Sequence, residues 1–161
     1  MKSFLRSILL ALVLPALLPA GSASAGASAG LPADETLRHA VLGTWLYEQN
    51  AGIATVAMFT IYRDDGIAIQ LIKTKFLFKQ AKGVYIENRW RIENGTLYLS
   101  PVRYRAHSED AKVDLEEAAR QLLKVDSRAM RYQLKGKERE ETKAGQVPDD
   151  VQAMIDELSR K

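Results

Sequence analysis

Few residues in this chain are of types that carry out chemistry at neutral pH. Histidine occurs twice, as His39 and His107, and cysteine is absent. A zinc site draws three or four nitrogen, sulfur or carboxylate ligands at local spacing. His107 is followed by Ser108, Glu109 and Asp110, a string that any polar loop produces without a metal. Asp64-Asp65-Gly66 lacks the alternating acids and distal glutamate of a calcium loop, and turn chemistry accounts for it. Gly-x-Ser-x-Gly occurs once, as Gly26-Ala27-Ser28-Ala29-Gly30, but in a run of small residues behind the expected signal peptide and not between a strand and a helix, so it marks no serine as a nucleophile. The sequence therefore assigns no metal ligands, no cofactor and no catalytic set, and an enzymatic reading is uncertain, reopened only by a cleft that would bring His107 beside an acid. Lack of cysteine excludes disulfides, thiol catalysis, thiolate metal sites and a lipid-modified cysteine anchor.

Arginine and tyrosine are what concentrate. Arg89, Arg91, Arg103 and Arg105 alternate through a stretch that also holds Tyr85, Tyr98 and Tyr104. Such a row could stack on and hydrogen-bond an anionic or sugar ligand, which makes Arg89, Arg91, Tyr98 and Arg103 surface candidates. The competing reading is a solvated outer face balanced by Glu87, Glu93 and the acidic run at Glu138, Glu140 and Glu141. A second candidate set is apolar: Trp45, Phe59, Ile61, Leu71, Trp90 and Leu99 are expected on an inward face. There they would line a small-molecule cavity or fill the interior.

The elements that must position these residues are mainly strands. Val84, Ile86, Trp90 and Ile92 share one parity and Tyr85, Glu87, Arg89 and Arg91 the other, the alternation of a half-buried strand. Asn94-Gly95 supplies a type I′ turn, which sets Ile92 against Leu97, Trp90 against Leu99, Arg91 against Tyr98 and Arg89 against Ser100. Pro101 cannot donate to a ladder, so a bulge is expected there, restoring Glu87 against Arg103 and Ile86 against Tyr104. A second hairpin spans residues 53–78. A three-residue loop with Gly66 left-handed pairs Phe59 with Leu71, Thr60 with Gln70 and Ile61 with Ile69. Its core face is then Ala57, Phe59, Ile61, Ile67, Ile69 and Leu71, leaving Met58, Tyr62 and Ile72 on the other face. Residues 79–83 read as a connection.

Around these hairpins, residues 34–42 open with acids and carry Leu37, Ala40 and Val41 at helical spacing, a short helix that Gly43 ends before a first strand. Leu115, Ala118, Ala119, Leu122 and Leu123 form an apolar stripe behind Asp114, and predict an inserted helix. Residues 129–134 and 137–142 return to strand around Gly136, and Pro148 starts a terminal helix with Val151, Met154, Ile155 and Leu158 on one face.

Residues 1–25 place Lys2 and Arg6 ahead of a short apolar run and Ala23-Ser24-Ala25, the pattern of a secretory signal peptide. The run is too short and proline-broken for a membrane span. Residues 26–33 read as a flexible leader and 34–161 as a single domain. Of 23 Lys and Arg and 20 Asp and Glu, two basic residues leave with the signal, so the mature charge is 21 − 20 = +1. That gives no support to nucleic acid or anionic lipid as partner.

The order of short helix, Gly43-Thr44-Trp45, antiparallel hairpins and late helix resembles the lipocalins and the bacterial lipocalin-like domains of mostly unknown role. The resemblance implies that Trp45 closes a barrel floor, that Arg139 or Arg131 packs across it, and that the interior holds a small-molecule pocket. The chain departs from the pattern in strand number, in the inserted helix and in lacking cysteine. The expected fold is α+β, mainly β: a strongly curved antiparallel sheet or lipocalin-like barrel of about seven strands with an inserted helix and a C-terminal helix. The expected function is an exported soluble protein, periplasmic or secreted, that binds an apolar or amphipathic small molecule. The alternative is a non-enzymatic interaction or structural module acting through its surface on an unidentified protein, with Met58, Tyr62 and Ile72 as its apolar patch.

Overall fold

The computed structural model describes residues 32–76, 79–107 and 115–160. The expected signal peptide, most of the leader, and Ser108, Glu109 and Asp110 lie outside them. Within them, helix α1 (Asp34–Val41) precedes strands β1 (Gly43–Ala51), β2 (Ala54–Tyr62), β3 (Ile67–Phe76), β4 (Lys79–Glu93) and β5 (Thr96–Ala106). Strands β6 (Ala118–Val125), β7 (Ala129–Leu134) and β8 (Lys137–Ala144) and helix α2 (Asp149–Ser159) follow. Each strand pairs antiparallel with the next, and β8 returns to β1, closing an eight-stranded barrel.

Both hairpin registers follow the turn chemistry. Asn94 and Gly95 take φ of 51° and 72°, and Trp90 pairs with Leu99 and Ile92 with Leu97. The ladder shifts between Glu87 and Asn88, so that Asn88 meets Pro101 while Glu87 meets Arg103 and Ile86 meets Tyr104. Gly66, at φ 80°, closes the loop that sets Phe59 against Leu71 and Ile61 against Ile69.

Three expectations about elements are corrected. The apolar stripe at 115–123 forms no helix: residues 118–125 are strand β6, between β5 and β7. Ala118 and Leu122 pack on the interior cluster, whereas Leu115 and Leu123 are exposed. Short runs of this kind satisfy both periods, and the sheet decides between them, because without β6 both β5 and β7 would present open edges. This also raises the strand number from about seven to eight. Residues 79–83 extend β4 instead of forming a connection.

The third correction concerns faces. Tyr62, Ala68, Trp90, Leu97, Leu99, Leu122, Met130 and Tyr132 share one cluster with Leu37 and Val41 of α1. Phe59, Leu71 and Tyr85 share another with Val151, Ile155 and Leu158 of α2. Since successive side chains point to opposite sides of a strand, the first cluster is the barrel interior and the second is the outer wall beneath α2. Phe59, Ile61, Ile69 and Leu71, expected inward, therefore lie outside under the helix, and Met58, Tyr62 and Ile72 lie on the interior face. Either face of this hairpin is apolar enough for burial, and both are buried, by different partners. The helix α2 thus covers the wall, not an end.

One end is shut by α1. Asp34 accepts from the backbone N–H of Asn94 and Gly95 at 2.8 and 2.9 Å, so the first residue of the helix clasps the β4–β5 turn. Arg38 donates to the Asp64 carbonyl at 2.8 Å and lies 4.9 Å from the Trp90 ring centre. Trp45 is fully buried and donates from Nε1 to the Val41 carbonyl at 2.6 Å. The cation over its ring is Lys143, at 4.4 Å, and not Arg139 or Arg131. Lys143 also donates to the carbonyls of Ala40 and Leu42 at the C-terminal end of α1, where a positive charge is favourable.

Candidate functional site

The interior changes character along the barrel axis. Beside the helix-plugged end, Trp45, Trp90, Leu97, Leu99 and Met130 are packed solid. Next comes a buried polar layer. Arg120, on β6, donates through one terminal nitrogen to Glu141 Oε1 at 2.8 Å and to the Tyr62 hydroxyl at 3.1 Å, and Tyr132 donates to the same Glu141 oxygen at 2.8 Å. The guanidinium lies 4.7 Å from the Tyr132 ring centre. A second chain of bonds runs from Asn88 to Gln70 at 3.1 Å and from Gln70 to Thr60 at 3.4 Å.

Burial drives the Tyr62 and Tyr132 hydroxyls far above the usual phenol range, so both stay protonated and can serve as donors. Burial opposes the Arg120 charge, while Tyr62 and Glu141 beside it favour it, and the balance lies upward: the guanidinium remains charged. The layer is a balanced ion pair. Arg120 Nε and Glu141 Oε2 have no hydrogen-bond partner among the described residues.

Beyond this layer, at the end away from α1, lies an open cavity of about 240 Å³. Its wall is apolar, from Val56, Met58, Ile72 and Leu134, its floor is Arg120 and Tyr132, and Tyr47, Gln49 and Arg139 stand at the rim. Strand parity explains this membership: Tyr47 pairs with Met58, Met58 with Ile72 and Tyr132 with Arg139, so all point the same way through the wall. Arg139 donates to the Tyr47 hydroxyl and lies 5.3 Å from that ring centre; Tyr47 in turn donates to Gln49 at 3.2 Å.

None of the six apolar candidates lines this cavity. Trp45, Trp90 and Leu99 belong to the packed half. Phe59, Ile61 and Leu71 belong to the α2 interface, where Phe59 also borders a crevice of about 290 Å³ with Lys73 and Asp150. Of the surface candidates, Arg89 and Arg91 border one open pocket, with Tyr98 stacked on Arg91, while Arg103 packs elsewhere against Tyr85 and the end of α2. Arg91 stacks on Tyr98 at 4.3 Å and already binds Glu93 at 2.8 Å and Glu117 at 2.9 Å. Arg103 lies 5.6 Å from the Tyr85 ring centre and donates to the Ser159 carbonyl at the end of α2. Arg89 is exposed, and the open pocket it borders with Asp65, Trp90, Arg91 and Ser100 measures about 710 Å³. Of the acidic run assigned to the surface, Glu141 is fully buried. His39 pairs with Glu35 at 3.2 Å, and His107 accepts from the Gly83 N–H at 3.0 Å and meets Glu157 at 3.2 Å.

The residues that do line the cavity were legible only as strand members. Arg120 sat in the expected helix, Arg139 was expected across Trp45 and not at the cavity, and nothing in a charged strand such as 137–144 marks Glu141 as inward-facing until the barrel is closed.

Fold and site together define a closed antiparallel meander barrel, plugged at one end and hollow at the other, an architecture compatible with a lipocalin-like fold. No family model matches the chain, and no curated protein matches it.

Proposed function

We propose that this is an exported protein, periplasmic or secreted, that binds an apolar or amphipathic small molecule in its barrel, as the lipocalin-like domains it resembles suggest. The observation that carries the reading is the apolar cavity at the open end. At about 240 Å³ it is slightly below the usual range for drug-sized ligands, and corresponds to roughly eight waters. It suits one ring or a short chain, or one end of a longer molecule. The surface-acting alternative loses its expected support, since Met58, Tyr62 and Ile72 face inward.

Native mass spectrometry of protein purified from its host's periplasm or medium tests this directly. A mass above that of the chain cleaved after Ala25, together with a raised melting temperature in some member of a panel of fatty acids, lipids and hydrophobic dyes, is expected. A ligand at about a hundred times its Kd stabilises by about 2.7 kcal/mol. The bare mature mass with no thermal shift across the panel overturns it.

A further inference from the structure

We infer, resting on the binding function proposed above, that the ligand is a small amphiphile with an anionic head of the carboxylate kind, held tail-first, its head at the rim on Arg139. Among the described residues two cations line the cavity, and they are not equivalent. Arg120 on the floor is 3% exposed and its charge is matched by Glu141 at 2.8 Å. An anion reaching it would meet a neutral pair and would have to abandon water to do so. Arg139 is half-buried at the rim, and its partners among the described residues are the hydroxyl and ring of Tyr47, neither of which carries charge. Tyr47 holds the guanidinium from one side and is itself held by Gln49 at 3.2 Å. A guanidinium fixed in this way has donors left for a carboxylate, which it matches in shape as well as charge. The apolar part of the lining comes from Val56, Met58, Ile72 and Leu134. The cavity thus joins a half-buried cation with no charged partner to apolar walls and a buried, neutral polar layer, a set that suits an anionic amphiphile whose head stays on the less buried arginine and whose tail goes inward.

The probes are octanoate, 1-octanol and octyltrimethylammonium, matched in tail length and differing in head charge, titrated by calorimetry against the mature protein and two variants. Arg139→Met keeps the aliphatic stem and removes the charge. Arg120→Met with Glu141→Leu removes both buried charges together and leaves neither unpaired. Octanoate is expected to bind the parent about tenfold more tightly than octanol, the factor that about 1.4 kcal/mol supplies, and the ammonium least. Arg139→Met is expected to erase the preference for octanoate over octanol, and Arg139→Lys to restore part of it. The double variant, verified as folded by circular dichroism, is expected to keep it. Equal affinity of octanoate and octanol in the parent overturns the anionic head while leaving a binding barrel intact. A preference that survives Arg139→Met but disappears in the double variant overturns the orientation. No binding of any probe, with no ligand recovered from the host, overturns the binding function itself.

Discussion

At the scale of single residues, neighbours on one strand have opposite fates. Trp90 is 4% exposed, donates to the Arg63 carbonyl at 2.9 Å and meets Tyr62 edge-on at 5.4 Å between ring centres. Trp90→Ala is expected to cost about 3 to 5 kcal/mol in urea melts. Arg91→Ala, which removes exposed ion pairs and a surface stacking contact with Tyr98, is expected to be nearly neutral by comparison; equal effects would contradict the register. That contrast was readable from alternation around the Asn94-Gly95 turn. The buried pair was not. Arg120 and Glu141 belong to residue types that are almost always exposed, and only closure of the barrel turns them inward. Glu141→Ala leaves a charged guanidinium unpaired in the interior and is expected to cost about 3 to 5 kcal/mol, whereas Arg120→Met with Glu141→Leu is expected to recover most of that loss. Urea melts of the single and double variants separate the two outcomes.

At the scale of elements, the two helices act on different surfaces and should fail differently. The clasp from Asp34 to the Asn94 and Gly95 N–H groups ties α1 to the end of β4 and β5. Asp34→Ala is expected to cost about 1 to 2 kcal/mol, with hydrogen exchange speeding first at that turn. The helix α2 is tied at its start by Lys73 to Asp150, which holds the Asp150 carboxyl below the usual range. A depressed carboxylate contributes stability in full above its unfolded pKa, near 3.9. The contribution fades as pH falls through the lower folded value. The stability difference between the parent and Asp150→Asn should therefore be present at pH 6 and shrink on acidification below about pH 4. A difference that grew in acid would exclude this ion pair as its source. Both helices were legible from their periodicity and first-turn acids. Which face of the β2–β3 hairpin each layer claims was not, because Phe59, Ile61 and Leu71 on one side and Met58, Tyr62 and Ile72 on the other are equally apolar. Only the position of α2 assigns them.

At the scale of the whole barrel, the two halves divide the work of a binding protein. The plugged half holds the packed core: Leu97, Leu122 and Met130 are almost wholly buried, and α1 is pinned over them by Asp34, Arg38 and Lys143. The open half forgoes that packing in order to keep a cavity, and the polar layer of Arg120, Glu141, Tyr62 and Tyr132 marks the boundary. Truncations should report this division. Leu97→Ala opens a hole in a filled region with no solvent to occupy it, and is expected to cost about 2 to 5 kcal/mol. Ile72→Ala enlarges a cavity that already meets solvent, so chiefly the transfer of its removed methylenes is lost, about 1 to 2 kcal/mol. In binding assays the order should invert, with Ile72→Ala weakening an apolar probe and a refolded Leu97→Ala leaving its affinity within about twofold of the parent. Urea melts paired with dye titration on both variants check the two orders together. If Leu97→Ala weakened the dye as much as Ile72→Ala, the halves would be one coupled interior, and the packed end would belong to the site.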